Sequence, residues 1–224
     1  LKISLNDDAV TERFGFRWFE IKDVKGDRQF FLNGKRIVLR TAISWGFWPY
    51  NGITPSDELA KRQITIAKEL GLNMLNFHRN IGQTNILDYA DELGLLYFEE
   101  PGGNQYPIKN FNDNDKQSNF YFAYRNEKLA RMVKRDRNHP SLLIWTPTNE
   151  EFWPDRVQYP RLMHDLYNLT KMIDPTRPFH GASGGTHIAT DIWTVHNYEQ
   201  DPAKLKEKLY NGGKLMAVSY THLR

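Results

Sequence analysis

The sequence predicts an α/β protein in which buried parallel strands alternate with amphipathic helices. Short continuous apolar runs, such as residues 142–145 (LLIW), are typical of strands that are covered on both faces. Segments with apolar residues at helical spacing lie between these runs. Residues 69–72 and 92–95 both read Glu-Leu-Gly-Leu, and each is expected to end a helix at glycine and to begin a strand. Such alternation predicts a parallel sheet; a doubly wound open sheet is the rival, but no phosphate-type glycine loop follows a predicted strand.

The predicted elements follow one another in a regular order. The first buried strand is expected at residues 37–42, and the first helix is expected to begin with Thr54 as N-cap and Pro55 at its first helical position. Further strands are predicted at residues 72–77, 95–98, 142–145, around 179, 192–195 and 214–218. The helices are predicted at residues 55–70, 84–93, 124–137, 160–173 and from 201 onwards. These are seven strands, whereas a closed (β/α)8 barrel needs eight.

The composition indicates a domain with a substantial core and excludes several classes of partner. The chain has 224 residues, of which 40% are hydrophobic, so it can bury a sizeable core. Its 30 basic and 27 acidic residues are interspersed and give a net charge of +3, so neither nucleic acid nor a membrane is an expected partner. No apolar run approaches the ~20 residues of a membrane span. With zero cysteines, disulfides and thiol catalysis are excluded and the compartment stays open.

The pair Asn149-Glu150 is the first candidate for catalytic chemistry. It follows a buried strand that is expected to end at Pro147, which has no backbone donor. In (β/α) barrels the carboxyl ends of the strands carry the active site. A glutamate there can protonate a glycosidic oxygen while a neighbouring amide binds the sugar 2-hydroxyl. We expect apolar surroundings and a nearby carboxylate to raise the pKa of Glu150. The alternative is a strand-end glutamate that only faces solvent.

The residues around this pair resemble glycoside hydrolase family 2, which includes β-galactosidases, β-glucuronidases and β-mannosidases. Residues 131–140 (RMVKRDRNHP), the strand and Asn149-Glu150 are similar to its acid/base signature. Residues 13–17 (RFGFR) and 31–35 (FLNGK) are similar to its junction between an immunoglobulin-like sandwich and a barrel, and residues 91–96 and 174–178 also fit. The resemblance implies an α/β fold of the (β/α)8 TIM barrel type, preceded by the last strand of a sandwich domain. It also implies a retaining β-glycosidase with Glu150 as general acid/base.

The resemblance further implies how the chain is divided. Residues 1–22 are expected to be the end of the sandwich and the junction, and residues 23–217 an incomplete barrel. Residues 218–224 (VSYTHLR) are similar to a translated sequencing adapter and are expected to be a non-native tail. Family members carry the nucleophile in a Ser-Glu-Phe-Gly or Thr-Glu-Tyr-Gly ending of strand seven, where this chain has Ser219-Tyr220. We therefore expect a barrel truncated in strand seven that lacks the nucleophile and is inactive alone.

Polar residues that end other predicted strands are candidates for binding substrate. His196 and Tyr198 resemble the family's His-x-Tyr element, in which the tyrosine typically binds the nucleophile; a buried tyrosine with a chance partner is the alternative. Glu100 fits the place of an acidic residue after strand three, and a structural salt bridge is its alternative role. Arg79 is a candidate for contact with substrate or a carboxylate, although the family more often shows Arg earlier and Ser-His later.

Tryptophans near predicted strand ends are candidates for stacking on a sugar, since an aromatic face can lie against the C–H face of a pyranose. They are Trp45, Trp48, Trp153 and Trp193, the last within predicted strand six. Core packing is the competing role for each.

No cofactor or metal is expected, because His164, His180 and His187 lack the spacing of metal ligands. The expected partner is an oligosaccharide or glycoside, and the sequence leaves the sugar, the linkage and the oligomeric state open. A periplasmic or secreted location is favoured over the cytoplasm for a glycan-degrading bacterial enzyme. The alternative function is a non-catalytic carbohydrate-binding or scaffold barrel in which Tyr220 replaces the nucleophile.

Overall fold

Two antiparallel units precede a parallel sheet in the computed structural model, which describes residues 2–44, 54–102, 116–150, 158–184, 187–210 and 217–220. The first unit is a hairpin of β1 (Lys2–Leu5) and β2 (Asp8–Thr11). The second is a three-stranded meander of β3 (Phe19–Val24), β4 (Asp27–Leu32) and β5 (Lys35–Ile37). The segment 1–22, predicted to be the end of a sandwich domain and its junction, contains this hairpin and the start of β3. Strand β3 continues across the predicted boundary between residues 22 and 23.

Four parallel strands form the main sheet in the order of the chain. They are β6 (Thr41–Ser44), β7 (Met74–Phe77), β8 (Leu96–Glu99) and β9 (Leu142–Trp145). The helices between them are α1 (Asp57–Glu69), α2 (Thr84–Leu93) and α3 (Lys116–Asp136). The predicted α/β class is confirmed.

Further parallel pairs continue the sheet beyond β9. Phe179 forms a parallel bridge with Trp145, and β10 (Thr148–Asn149) pairs with β11 (Ala182–Ser183). The chain then adds β12 (Thr194–His196), which lies beside β11 and pairs with β13 (Ala217–Tyr220). The remaining helices are α4 (Gln158–Ile173) and α5 (Pro202–Tyr210). Residues 218–220, which were expected to belong to a non-native tail, lie within β13.

Several predicted boundaries are wrong. Ile37 ends the meander, where it pairs with Phe30, and the first parallel strand begins later, at Thr41. The N-cap of α1 is Ser56 rather than Thr54, because the Ser56 side chain accepts a hydrogen bond from the backbone of Leu59 at 3.3 Å. Helix α3 begins at residue 116 rather than 124.

Side chains alternate between the two faces of the main sheet. Leu75, Phe77 and Tyr97 pack in the large core beneath the helices, and the rings of Phe77 and Tyr97 stack at 4.4 Å between centroids. Met74 and Phe98 belong to the second core, on the opposite face, which we call the inner face. Because successive residues of a strand point to opposite faces, this alternation directs Glu99 toward the helices and Glu100 toward the inner face.

Candidate active site

Glu150 directly follows β10 and has a strained backbone. Its φ of 52° lies in the left-handed region, which a residue with a Cβ adopts at a cost of about 1–2 kcal/mol. Its side chain is 30% exposed, so solvent and a ligand can reach it. Strain of this kind persists only where surrounding contacts hold the residue in place.

Three side chains hold the carboxyl group of Glu150. Arg79 Nη2 donates to Oε2 at 2.7 Å. His196 Nδ1 lies 2.7 Å from Oε1, and the Tyr198 hydroxyl donates to the same oxygen at 3.0 Å. These partners come from the ends of β7 and β12, so three strand ends meet at one carboxyl group, as the sequence predicts for a barrel site.

The direction of the expected pKa shift of Glu150 is wrong. Burial acts to raise this pKa, but the hydrogen bonds from Tyr198 and His196 and the charge of Arg79 outweigh it, so the pKa is lowered. Burial also lowers the pKa of His196, although Glu150 opposes that shift. A neutral His196 with its hydrogen on Nδ1 can donate to an ionised Glu150.

Arg79 is itself held in a strained conformation by Glu100. The φ of Arg79 is 54°, and its backbone N–H donates to Glu100 Oε2 at 2.9 Å. Glu100 is 1% exposed, and its Oε1 accepts from Asn76 Nδ2 at 3.3 Å. Gly102 packs so closely on this turn that a Cβ there would overlap the carbonyl oxygen of Arg79. Glu100 therefore shapes the turn that presents Arg79 to Glu150.

The resemblance predicts that Tyr198 binds the nucleophile, and in the structure its hydroxyl donates to Glu150. Its side chain is 55% exposed. Burial and the hydrogen bond to Glu150 both raise the pKa of Tyr198, so the hydroxyl stays protonated and remains a donor. The rings of His196 and Tyr198 meet edge to face at 6.2 Å.

Asn149 and the candidate tryptophans lie in different surroundings. Asn149 is buried on β10, where it pairs in register with Ser183. Trp45, Trp48 and Trp153 lie outside the described residues. Trp193 lies just before β12 rather than within it, 57% exposed and 4.8 Å from the ring of His187. That position is at the amino end of the strand, away from Glu150, so a sugar-binding role for Trp193 is not supported.

Asn76 and His78 belong to the same site and were not among the predicted site residues. Asn76 is buried on β7 and donates to Glu100, and His78 Nδ1 lies 3.8 Å from the same carboxyl group. A sequence signal for Asn76 exists: it is the polar residue of the otherwise apolar strand Met74–Phe77. Burying an amide there is costly unless it is hydrogen-bonded.

Metal-binding side chains do not gather in the part of the chain that the structure describes: no three His, Asp or Glu residues there are arranged to hold an ion. Among the same residues, no helix is long and apolar enough to span a membrane.

Comparison with known proteins identifies the family. The family model described as the TIM barrel domain of glycosyl hydrolases family 2 matches residues 21–216. The chain belongs to glycoside hydrolase family 2. This confirms the predicted family and the barrel architecture, and it rules out the doubly wound sheet. The truncation and the sandwich origin of the first residues stay predictions.

Known relatives of this family 2 chain are considerably longer. A β-galactosidase of Lactococcus lactis is 31% identical over 189 residues, which are 81% of this chain and 18% of that protein. A β-galactosidase of Thermoanaerobacter pseudethanolicus is 29% identical over 217 residues, 95% of this chain and 27% of the relative. The crystal structure of Parabacteroides merdae β-glucuronidase superposes on this chain with a TM-score of 0.73 at 25% identity. The superposed part is 94% of this chain and 28% of the β-glucuronidase chain. The chain thus spans about a fifth to a quarter of the length of these relatives.

Proposed function

We propose that this chain carries the acid/base part of a retaining β-glycosidase that hydrolyses O-glycosidic bonds of an oligosaccharide or glycoside. The observation that carries the proposal is Glu150, a partly exposed carboxyl group at a strand end that three side chains from other strands hold in place. Membership of family 2 and the β-galactosidases and β-glucuronidase among its relatives support the same reaction class.

Glu150 has to act in two protonation states. In the first step its proton goes to the leaving glycosidic oxygen while a second carboxylate forms the covalent glycosyl intermediate. In the second step ionised Glu150 takes a proton from the attacking water, and the sugar–enzyme bond breaks. The contacts with Arg79, His196 and Tyr198 favour the ionised form. A nucleophile carboxylate about 5 Å away would shift the balance back toward the protonated form.

The other site residues have supporting roles in this proposal. Asn149 binds the sugar 2-hydroxyl, and His196 and Tyr198 orient Glu150 and line the substrate site. Arg79 forms the wall on the β7 side, and Glu100, which follows β8, supports it through the Arg79 backbone. Trp45 and Trp153 are proposed to stack on the sugar.

These 224 residues are proposed not to turn over substrate by themselves. Retaining hydrolysis needs a second carboxyl group close to Glu150. Residues 217–224 (AVSYTHLR), where the resemblance places the nucleophile, contain neither Asp nor Glu. In the same proposal, residues 1–22 belong to a sandwich domain and its junction, and residues 23–217 to the barrel.

The proposed role of Glu150 is tested by Glu150→Gln in the complete gene product. Glycosides with poor leaving groups should lose about 10²–10⁴-fold in kcat/KM, because their departure needs the proton. Activated aryl glycosides should still form the covalent intermediate and then stall, and azide, which needs no base, should restore turnover and give a β-glycosyl azide.

The matched control is Glu92→Gln, which changes an exposed carboxyl group on α2 and should leave all rates unchanged. Wild-type rates for Glu150→Gln on every substrate would refute the acid/base role. A complete gene product that binds glycosides but never cleaves them would favour the non-catalytic barrel instead.

A further inference from the structure

Beneath the helices, Glu99 and Asp136 form a buried pair of carboxyl groups. Glu99 ends β8 and Asp136 ends α3, and both side chains have an exposed fraction of 0%. The charge of Asp136 acts on Glu99, and among the described residues Glu99 Oε2 is buried without a hydrogen-bond partner. This cluster lies on the helix side of the sheet, whereas Glu100 lies on the inner face with Glu150's partners.

Arg135 supplies one positive charge for these two carboxyl groups. Its Nε and Nη2 donate to the two oxygens of Asp136 at 2.7 Å each, and Nη2 also donates to the Gly82 carbonyl at 2.6 Å. Glu99 Oε1 lies 3.6 Å from Arg135, beyond hydrogen-bonding distance, and accepts instead from the backbone of Gly82 at 2.5 Å. Arg135 is therefore paired mainly with Asp136.

Protonation of one of the two carboxyl groups would give the buried Glu99 Oε2 a hydrogen-bond partner. Two ionised carboxylates only accept hydrogen bonds, so the buried Glu99 Oε2 gains a partner in Asp136 only if one of the two groups carries a proton. Burial raises the pKa of Glu99 well above its usual value, and the charge of Asp136 adds to this, while Arg135 and the Gly82 amide act against it. A protonated Glu99 satisfies both of its oxygens and leaves Arg135 and Asp136 as a neutral pair.

Glu99 and Glu100 hold the two ends of one short segment from opposite faces of the sheet. Glu100 accepts from the Arg79 backbone, and Glu99 accepts from the Gly82 backbone. Gly82 packs so tightly that a Cβ would overlap the Phe77 ring and approach Glu99 Oε1. The segment 79–82 carries the arginine that reaches Glu150, so its placement decides the geometry of the site.

We propose that Glu99 is a positioning residue of the candidate site: it shares a proton with Asp136 and, together with Arg135, fixes segment 79–82 so that Arg79 stays on Glu150. The effect of the Arg79–Glu150 contact on catalysis rests on the proposed function, whereas the shared proton and the positioning of Arg79 do not.

Other charged groups near the cluster have partners of their own. Asp91 of α2 lies 2.7 Å from His139 Nδ1, and Asp136 contributes to raising the pKa of His139. Arg177 is also under the electrostatic influence of Asp136. Asp136 therefore acts electrostatically on His139 and Arg177 as well as on Arg135.

The shared proton is tested by carboxyl-carbon NMR titration of the 224-residue chain. The carboxyl signal that disappears in Glu99→Gln belongs to Glu99, and we expect it to show a protonated group at neutral pH. The control variant Glu92→Gln should leave that signal in place. An ionised Glu99 at neutral pH would overturn the shared proton.

The positioning role is tested on the titration of Glu150 in the same chain. Glu99→Gln retains an acceptor for Gly82 and a donor for Asp136, so Glu150 should titrate as in the wild type. Glu99→Leu removes both, releases Arg79 from Glu150, and should raise the pKa of Glu150. A merely structural role would lower the melting temperature without moving that titration.

If Glu99→Leu does not fold, Arg135→Met takes its place, since Arg135 is 42% exposed and its loss frees the Gly82 carbonyl. An unchanged Glu150 titration in the folded variant would overturn the positioning role. None of these readouts requires turnover, so failure of the proposed glycosidase activity would leave their outcome intact.

Discussion

Two arginine–carboxylate pairs lie at opposite ends of the parallel sheet. Their nitrogen–oxygen distances are similar, but their exposure and backbone conformation differ. Arg79 and Glu150 meet at 2.7 Å at the carboxyl end, with both side chains 30% exposed. Arg177 and Asp174 meet at 2.6 Å with both side chains 4% exposed. Arg177 also donates to the carbonyl of Leu142, the first residue of β9, which places this pair at the amino end.

The buried pair has further hydrogen bonds and a relaxed backbone at Asp174, whereas the exposed pair has a strained backbone at both residues. Asp174 also accepts from Trp145 Nε1 at 2.9 Å and from Thr176, and its backbone needs no unusual conformation. Arg79 and Glu150 both have positive φ. In barrels the carboxyl end serves chemistry and the amino end serves stability. The comparison therefore predicts that equivalent substitutions will affect unfolding at one end and activity at the other.

Asp174→Asn should have the largest effect on stability. It leaves the buried charge of Arg177 without its counter-ion, and breaking such a pair costs about 3–5 kcal/mol. Urea unfolding of the variant should show this loss in the free energy of unfolding. Asp165→Asn, at an exposed position of α4, is the control and should stay within about 0.5 kcal/mol of the wild type. An equal loss from Glu150→Gln would erase the contrast between the two ends.

The same pair predicts how stability falls in acid. Burial acts to raise the pKa of Asp174, but Arg177 and the hydrogen bonds lower it to about 2. Because this folded-state pKa lies below the unfolded value of ~3.9, the group contributes its stability above that value and loses it as pH falls toward 2. The difference in unfolding free energy between wild type and Asp174→Asn should therefore shrink by about 2 kcal/mol between pH 5 and 2. A difference independent of pH would contradict the buried ion pair.

Sequence reasoning found the catalytic candidate but not its environment. Glu150 could be predicted because a polar pair directly follows an apolar run, which is a local signal. Its partners lie 46, 48 and 71 positions away, so the sign of its pKa shift depended on which strand ends meet. Local propensity also failed at Thr54, because Thr54 and Ser56 both have N-cap propensity and the sequence alone does not choose between them.

The amino-end pair illustrates the same limit. Asp174 and Arg177 lie in segment 174–178, which resembles the family, but their spacing alone does not reveal that both side chains are buried. Their role depends on Trp145, which lies 29 positions from Asp174. Similarly, consecutive glutamates at the end of β8 give no hint that one faces the helices and the other the site until the strand alternation is fixed by packing.

Arg79→Met should have the smallest effect on stability and a distinct effect on titration. Exposed ion pairs contribute about 0–1 kcal/mol, so the free energy of unfolding at neutral pH should change by no more than that. Because Arg79 helps to lower the pKa of Glu150, its removal should raise that pKa and move the ionisation of Glu150 to higher pH. Carboxyl NMR of the chain measures this shift directly. In the complete gene product the alkaline limb of kcat/KM, where Glu150 loses the proton that it donates, should move to higher pH. Arg62→Met, on the exposed face of α1, is the control and should move neither. Arg79→Met could instead lose several kcal/mol of unfolding free energy, or leave the titration of Glu150 at its wild-type position. Either result would mean that the two arginine pairs do not differ in kind. Exposure and backbone strain would then not distinguish a functional pair from a structural one in this barrel.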